Sequence, residues 1–204
     1  MSARSDFYNA QMTKHRFLQF LDTVDAMIAR APTEPALLDE CETALAALIA
    51  YDDWLPAEFA KPVAEKYQSY VLYVDPQSRY SVSSFVWGPG QGTPIHNHTV
   101  WGLVGVLRGA ERCEEFPTPE SVASGALRCA HQHDLPRGAV DRVSPTIGDW
   151  HRVSNALTDA PSISIHVYGA DIGRVHRNYW DEATRRVMPM VTGYSNDQPW
   201  ITAR

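Results

Sequence analysis

Three histidines are the residues of this 204-residue chain with the clearest chemical potential. His96 and His98 form a His-x-His pair after Pro94, and His151 follows Gly148 much later in the chain. Since side chains alternate along a strand, His96 and His98 are predicted to point to the same face of one strand. A third imidazole from a second strand would complete a three-nitrogen site for a first-row transition metal, with positions left open for chemistry.

A second group of polar residues lies on a segment that is predicted to be a strand. Ser164, His166 and Tyr168 alternate with apolar residues, so one face of the strand would carry all three side chains. On that face they could form a hydrogen-bonded chain. The alternative interpretation is a half-buried strand whose polar side chains simply face water.

The chain also contains a second His-x-His pair, His131 and His133, which we do not expect to bind a metal. Glycines precede the other two clusters, at Gly90 and Gly148, where they allow the tight turns that aim the imidazoles. Nothing comparable precedes His131. The spacing of this pair alone is therefore weak evidence for a metal site.

Helices and short strands must position these groups. Apolar residues at helical spacing predict an amphipathic helix over residues 13–31, a second helix from residue 37 to about residue 51, and a short third helix over 55–65. Strands are then predicted over 70–74, 80–87, 99–107, 111–116, 127–135, 140–143, 150–154 and 163–168, with a polar loop over 117–125. We expect one domain over 1–204, with a helical part at about 13–65, a barrel or sandwich at about 68–180 and a tail of strand and irregular structure.

Composition and charge indicate which partners and which cellular compartment to expect. The net charge is −6 and no run of Lys or Arg occurs, which argues against nucleic acid or an anionic membrane as a partner. The N-terminal segment has no apolar leader and no stretch is long and apolar enough to span a membrane, so we predict a cytoplasmic protein. Three cysteines without Cys-x-x-Cys spacing indicate free thiols.

The two histidine clusters resemble the two sequence motifs of the cupins. The first motif is matched by Gly90-x5-His96-x-His98 with Gly109, and the second by Pro145-x2-Gly148-x2-His151-x3-Asn155. The resemblance covers about residues 65–180 and implies a mostly β cupin fold, a small β-barrel or jelly roll, with two or three α-helices before it.

Two further features are similar to the thiol dioxygenases within the cupins. The usual carboxylate ligand is expected about five residues after the second histidine, where this chain has Leu103. The run from Ser164 to Tyr168 resembles the Ser-x-His-x-Tyr triad of cysteine dioxygenase and 3-mercaptopropionate dioxygenase.

The resemblance implies a function as well as a fold. It implies Fe(II) held by His96, His98 and His151, with a small thiol carboxylate and O2 as substrates and a sulfinate as product. Ser164, His166 and Tyr168 would then orient the substrate carboxylate and O2 and manage protons. We expect a monomer or a weak homo-oligomer.

Departures from eukaryotic cysteine dioxygenase point to a bacterial subgroup. Leu103 replaces the cysteine that is cross-linked there to the triad tyrosine, and Cys113 is predicted on another strand. The upstream segment from Lys66 to Tyr70 has no arginine for the substrate carboxylate. Bacterial 3-mercaptopropionate dioxygenases resemble this chain more, with Trp-Gly after the histidine pair.

The same resemblance suggests Gln68 and Arg177 as substrate-binding residues, although a shift of one or two residues would exchange Gln68 for Tyr70. Arg177 could bind a carboxylate directly or through Tyr168, or it could be a surface arginine. Nearby tryptophans are expected to wall the site, namely Trp87, Trp101 and Trp150. The predicted substrate is 3-mercaptopropionate. Alternatives are cysteine, a non-thiol substrate, or a cupin that binds sugar or metal without catalysis.

Overall fold

The computed structural model describes residues 3–119 and 127–202. Two α-helices come first, α1 (Ala3–Ala29) and α2 (Glu34–Ile49), followed by a 3-10 turn (Ala57–Ala60). Eleven strands follow within the described residues: β1 (Gln68–Val74), β2 (Ser81–Trp87), β3 (Ile95–His96), β4 (Gly102–Arg108), β5 (Ala110–Glu115), β6 (His131–Pro136), β7 (Val140–Val143), β8 (His151–Asn155), β9 (Ser162–Tyr168), β10 (Arg177–Asp181) and β11 (Arg186–Met190).

The structure corrects two helical expectations. The first helix, predicted over 13–31, already begins at Ala3, and the third helix predicted over 55–65 is not formed. Only the four residues Ala57–Ala60 form a helical turn, and it is of the 3-10 type. Pro56 precedes the turn, and Lys61 after it is extended (φ −86°, ψ 118°) because Pro62 follows. A proline on either side therefore limits this segment to a single turn, and the fold has two α-helices.

The strands form two antiparallel sheets. The first has the strand order β1-β2-β9-β4-β7, and the second has the order β11-β10-β3-β8-β5-β6. The prediction of a mostly β fold of the jelly-roll kind, preceded by helices, is confirmed, although the hydrogen-bonded strands do not close into a barrel.

The outer face of the first sheet packs on the helices. Leu103 and Leu107 of β4 and Ile165 of β9 are buried in one apolar cluster with Leu45 and Ile49 of α2. Tyr168, at the end of β9, is instead buried in a second cluster that includes Val153 of the second sheet. The inner face of β9 therefore looks toward the second sheet, where the functional histidines lie.

Most strand boundaries differ from the predicted ones by a few residues. The largest shift at a start is that of β6, predicted from residue 127 and observed from His131. The next largest is that of β4, predicted from Thr99 and observed from Gly102, because Thr99 has a left-handed backbone (φ 61°) that interrupts an extended chain. The tail contributes β10 and β11 to the second sheet. Residues 120–126 of the predicted loop at 117–125 lie outside the described residues.

Within the described residues, neither α1 nor α2 has the length and apolar character required to cross a bilayer.

Candidate metal centre and active site

The three predicted ligand histidines lie together between the two sheets. His96 ends β3 and His151 begins β8, and these two residues are direct partners in the antiparallel register. His98 follows two residues after β3. The ring centroids of all three pairs are 4.8 Å apart. One nitrogen of each ring lies within 4.8 Å of the other two, and all three side chains are buried.

Hydrogen bonds at Nδ1 leave the Nε2 atom of each ring available for a metal. His96 Nδ1 lies 3.0 Å from the carbonyl oxygen of Pro94, and His98 Nδ1 lies 2.9 Å from Asp149 Oδ1. His151 Nδ1 lies 3.7 Å from Cys113 Sγ. Partners of this kind fix the tautomer and orientation of metal-binding imidazoles. His98 Nε2 is buried without any hydrogen-bond partner, which a metal ion would satisfy.

Asp149 holds the His98 turn in place, a role that no local sequence pattern indicates. Its carboxylate accepts hydrogen bonds from the backbone N–H groups of His98 and Thr99, both at 2.9 Å, as well as from the His98 ring. The expectation that His96 and His98 share one strand is therefore corrected, because β3 ends at His96 and the Asp149 contacts bend the chain there. The cluster forms nevertheless, since Asp149 places His98 from the loop before β8.

Burial keeps the ligand imidazoles neutral. Desolvation lowers the pKa of His96 and of His98 well below the usual value, and the neighbouring imidazoles and Arg177 lower it further. Burial also lowers the pKa of His151, to about 4. Neutral nitrogen donors are what a metal ion requires, so the site is prepared for a metal at neutral pH without releasing protons from these rings. A cluster of three neutral nitrogens without a carboxylate fits a transition metal such as iron.

The Ser164, His166 and Tyr168 side chains form the predicted hydrogen-bonded chain. Ser164 Oγ lies 2.8 Å from His166 Nε2, and His166 Nδ1 lies 2.8 Å from the Tyr168 hydroxyl. The His166 ring stacks on Phe85 with centroids 4.0 Å apart, and the Trp87 indole donates to Ser164 Oγ at 3.3 Å. Burial lowers the pKa of His166 and raises that of Tyr168, so both are neutral at neutral pH.

Tyr168 connects this chain to the histidine cluster. Its ring stacks on His98 with centroids 5.2 Å apart and an interplanar angle of 19°. On the neighbouring strand β4, a Cβ atom at Gly102 would lie only 2.6 Å from Tyr168 Cδ1. The structure therefore corrects the position assigned to Leu103: Gly102 faces Tyr168, whereas Leu103 packs toward the helices. Neither residue carries sulfur, so no thioether to Tyr168 can form at either position.

A cavity of about 250 Å³ opens beside the two groups. His96, His151, His166 and Tyr168 line it, together with Arg177 of β10. The Arg177 side chain is buried; its Nη2 donates to Thr192 Oγ1 at 2.7 Å, and its Nε has no hydrogen-bond partner. A buried guanidinium with a free N–H is a strong site for a carboxylate.

Gln68 does not contribute to the cavity wall in this structure. Its Nε2 donates to the carbonyl oxygens of Lys66 and Tyr67, at 3.0 and 3.1 Å, and the lining residues of this segment are Lys66, Tyr67 and Ser69. Contact between Gln68 and a substrate stays a prediction. The alternative, Tyr70, donates to the carbonyl of Lys61 and is also outside the cavity wall.

The predicted tryptophans and the second histidine pair occupy different surroundings. Trp87 lines the cavity, Trp101 packs against Gly169, and Trp150 lies on the far side of His151. The rings of His131 and His133 lie on β6 at the edge of the second sheet, with centroids 5.4 Å apart. Their nitrogens also approach carboxylates, those of Glu115 for both rings and Asp141 for His133.

Comparison of the sequence with models of known protein families assigns the chain to one family. The model of cysteine dioxygenase type I matches residues 41–181, which is more than half of the chain. The chain belongs to the cysteine dioxygenase type I family. Membership in this family makes it a cupin thiol dioxygenase, a metal-dependent oxidoreductase, and confirms the family and cupin fold that the motifs predicted.

Several solved structures are similar to the chain at low sequence identity. They include a double-stranded β-helix protein from Klebsiella pneumoniae subsp. pneumoniae MGH 78578, with 17% identity, a TM-score of 0.44 and coverage of 56% of this chain and 85% of that one. A cupin superfamily protein from Desulfitobacterium hafniense DCB-2 has 16% identity, a TM-score of 0.43 and coverage of 59% and 94%. A cupin 2 conserved barrel protein from Rhodopseudomonas palustris has 19% identity, a TM-score of 0.42 and coverage of 60% and 75%.

Proposed function

We propose that the protein is an Fe(II)-dependent dioxygenase that converts 3-mercaptopropionate to 3-sulfinopropionate. One observation carries the choice of substrate. Two cationic side chains, Lys66 and Arg177, line the cavity, and none of its lining residues is an aspartate or a glutamate among the described residues. Such a cavity favours a substrate with a carboxylate and no ammonium group.

His96, His98 and His151 would hold the metal through their Nε2 atoms. Iron bound there would bring the substrate sulfur and O2 together and allow electrons to pass from sulfur to O2. The neutral ligands leave the dipositive charge of the ion uncompensated, which favours a thiolate as substrate. Both oxygen atoms of O2 end on sulfur, so R–SH and O2 give R–SO2H with no other reductant and no leaving group.

Arg177 would bind the substrate carboxylate through its guanidinium group, and the Tyr168 hydroxyl would donate a second hydrogen bond. Both groups line the cavity, and Tyr168 is held in position by His98 and His166. A fixed carboxylate places the thiol end of a short substrate at the open side of the histidine cluster, which is catalysis by proximity. The aromatic walls Phe85 and Trp87 would keep water away from this space.

Cysteine is the second candidate substrate, because the family carries its name and it differs from 3-mercaptopropionate only by an ammonium group. Within the described residues the cavity wall offers that cation no carboxylate partner. Desolvating an ammonium group without a partner is costly, so we expect a lower kcat/KM for cysteine. Both substrates are small and soluble, which agrees with the proposed cytoplasmic location.

The test is O2 uptake by iron-loaded protein with three thiols: 3-mercaptopropionate, cysteine and cysteamine. We expect kcat/KM to be highest for 3-mercaptopropionate, lower for cysteine by at least about tenfold, and lowest for cysteamine, which lacks the carboxylate. Higher kcat/KM for cysteine would overturn the choice of substrate. Absence of O2 uptake with all three thiols would overturn thiol oxidation and favour a non-thiol substrate.

Arg177→Gln provides the matched variant for the carboxylate contact. It should raise KM for 3-mercaptopropionate by roughly tenfold to a hundredfold, since a charge-assisted pair is lost, and should leave the weak use of cysteamine nearly unchanged. Arg174→Gln is the control, because Arg174 is a largely exposed arginine in the loop just before β10. Equal losses for both thiols in Arg177→Gln would contradict the proposed contact.

A further inference from the structure

A glutamate is buried behind the Ser164–His166–Tyr168 chain. Glu111, on β5, has no exposed surface, and neither of its carboxyl oxygens makes a hydrogen bond of standard geometry. Asn155 lies directly opposite on β8, but its amide donates to the carbonyls of Trp87 and Ala160 and is not available. Burying a carboxyl group without hydrogen-bond partners costs free energy, which suggests that Glu111 has a functional role.

The surroundings of Glu111 are hydroxyl and indole groups of the neighbouring strands. Ser164 and Ser162 of β9 and Trp87 of β2 interact with its carboxyl group. The β4–β5 turn brings these elements together, because a Cβ atom at Gly109 would lie 3.0 Å from Ser162 Cβ. Glu111 therefore lies at the Ser164 end of the hydrogen-bonded chain, opposite the Tyr168 end that lines the cavity.

Few titratable groups face this position. His166 lies beyond Ser164 on β9, and Cys113 lies two residues along on the same face of β5. From β2 and β8 the facing groups are the neutral Trp87 and Asn155. Burial raises the pKa of Glu111 to about 8, and the three dipolar neighbours lower it by less. The carboxyl group is therefore protonated at neutral pH and can donate a hydrogen bond.

We propose that Glu111 is a positioning residue whose proton sets the direction of the whole hydrogen-bonded chain, and so decides whether Tyr168 donates or accepts in the cavity. When Glu111 is protonated, it donates to Ser164 Oγ, and the Ser164 hydroxyl donates to His166 Nε2. His166 then carries its proton on Nδ1 and donates to the Tyr168 oxygen. The Tyr168 hydroxyl is left to donate into the cavity.

Loss of the Glu111 proton reverses every bond in this chain. The Ser164 hydroxyl donates to the Glu111 carboxylate, and His166 carries its proton on Nε2 and donates to Ser164. The Tyr168 hydroxyl then donates to His166 Nδ1 and presents only lone pairs to the cavity. Ser164 Oγ can accept from Trp87 in both arrangements, so each one satisfies all its donors. His166 stays neutral in both states, and only its tautomer changes.

The consequence for activity rests on the proposed function. A substrate carboxylate requires a donor at Tyr168, so the protonated form of Glu111 is the productive one. We expect KM for 3-mercaptopropionate to rise as pH increases through about 8, where Glu111 ionises. Glu111→Gln should remove this rise, because its amide cannot ionise and can still donate to Ser164.

The decisive measurement does not depend on turnover. The full chain, loaded with diamagnetic zinc, is labelled with ¹⁵N at histidine, and the His166 nitrogen shifts are recorded at about pH 6 and about pH 9.5, on either side of the Glu111 pKa. We expect a change from the Nδ1–H to the Nε2–H tautomer in the parent protein. Glu111→Gln should keep the Nδ1–H tautomer at both pH values.

Glu114→Gln is the matched control, since it makes the same change on the opposite face of the same strand, where Glu114 pairs with Arg152. It should follow the parent protein. One His166 tautomer across the pH range in the parent would overturn the proposal, even if Glu111→Gln failed to fold. A tautomer change that persists in Glu111→Gln would also overturn it. Failure of thiol oxidation alone would leave this result standing and would refute only the proposed substrate.

Discussion

The two functional groups of this protein are built in opposite ways. His96, His98 and His151 come from separate points on the second sheet and its loops, and a carboxylate from another loop holds one of them. Ser164, His166 and Tyr168 come from a single strand of the first sheet. The metal cluster therefore depends on tertiary contacts between distant parts of the chain. The triad depends on side-chain alternation along β9 and on the residues that pack against this strand.

Both groups nevertheless use the same means to control their imidazoles. Burial lowers the pKa of every histidine in the two groups, so all four rings are neutral at neutral pH. What differs is the partner of each ring. The ligand rings bond outward through Nδ1 and keep Nε2 for a metal, whereas both nitrogens of His166 are used within the triad. A free Nε2 atom suits the three ligand rings for metal binding. Two bonded nitrogens suit His166 for linking the hydrogen bond at Ser164 to the one at Tyr168.

Removing a metal ligand should have the largest effect. His98→Ala leaves two nitrogen donors, so we expect loss of nearly all bound iron and of thiol-dependent O2 uptake. Iron content per chain, measured after purification in iron-supplemented medium, checks this. His131→Ala belongs to the other His-x-His pair and should retain iron. A result in which His131→Ala loses as much iron as His98→Ala would show that the metal lies elsewhere.

A variant of the triad should lower turnover without lowering metal binding. Tyr168→Phe removes the hydroxyl that reaches the cavity and keeps the ring that stacks on His98. We expect turnover per iron to fall by roughly a hundredfold, in the range of general acid–base and orienting groups, with iron content nearly unchanged. Loss of iron with unchanged turnover per iron would contradict the division between the two groups.

Asp149→Asn tests how far the metal cluster depends on its loop. The amide keeps the shape of the side chain but weakens the three hydrogen bonds that the carboxylate accepts from His98 and Thr99. Loss of such outer partners typically reduces metal affinity about 10- to 100-fold. Competition with a metal chelator, compared between variant and parent, measures this change. Unaltered affinity would mean that the strand pairing of His96 with His151 alone determines the site.

The sequence could predict the residues that carry a local pattern. The spacing of Ser164, His166 and Tyr168 defines one strand face whatever the rest of the fold does, and the motifs around His96 and His151 contain their own glycine turns. The partners from distant elements carried a weaker signal. Glu111 could have been found as an acidic residue at an inward position of an alternating strand after Gly109, but alternation does not say which strand lies behind it.

Exact register was beyond the sequence for a physical reason. Asp149 accepts a hydrogen bond from the Thr99 N–H, and Thr99 has a left-handed backbone, so β4 begins only at Gly102. The assignment of Leu103 followed the spacing in the family that the chain resembles, five residues after His98, whereas the pairing of β4 with β9 places Gly102 directly opposite Tyr168. The carboxylate that causes the bend lies some fifty residues away in sequence, where local patterns do not reach.

Gly102 and Gly105 of β4 offer the finest test of the comparison, because they face opposite sides of the same strand. A Cβ atom at Gly102 would lie 2.6 Å from Tyr168, and one at Gly105 would lie 2.9 Å from Ile49 of α2.

Either alanine should cost about 1–3 kcal/mol of stability through overpacking. Only Gly102→Ala should displace Tyr168 and lower turnover severalfold, whereas Gly105→Ala should keep parental turnover per iron. Thermal unfolding and O2 uptake measured on both variants distinguish these outcomes. Equal losses of turnover would show that the two faces of β4 are coupled and that the triad is not held by its own surroundings.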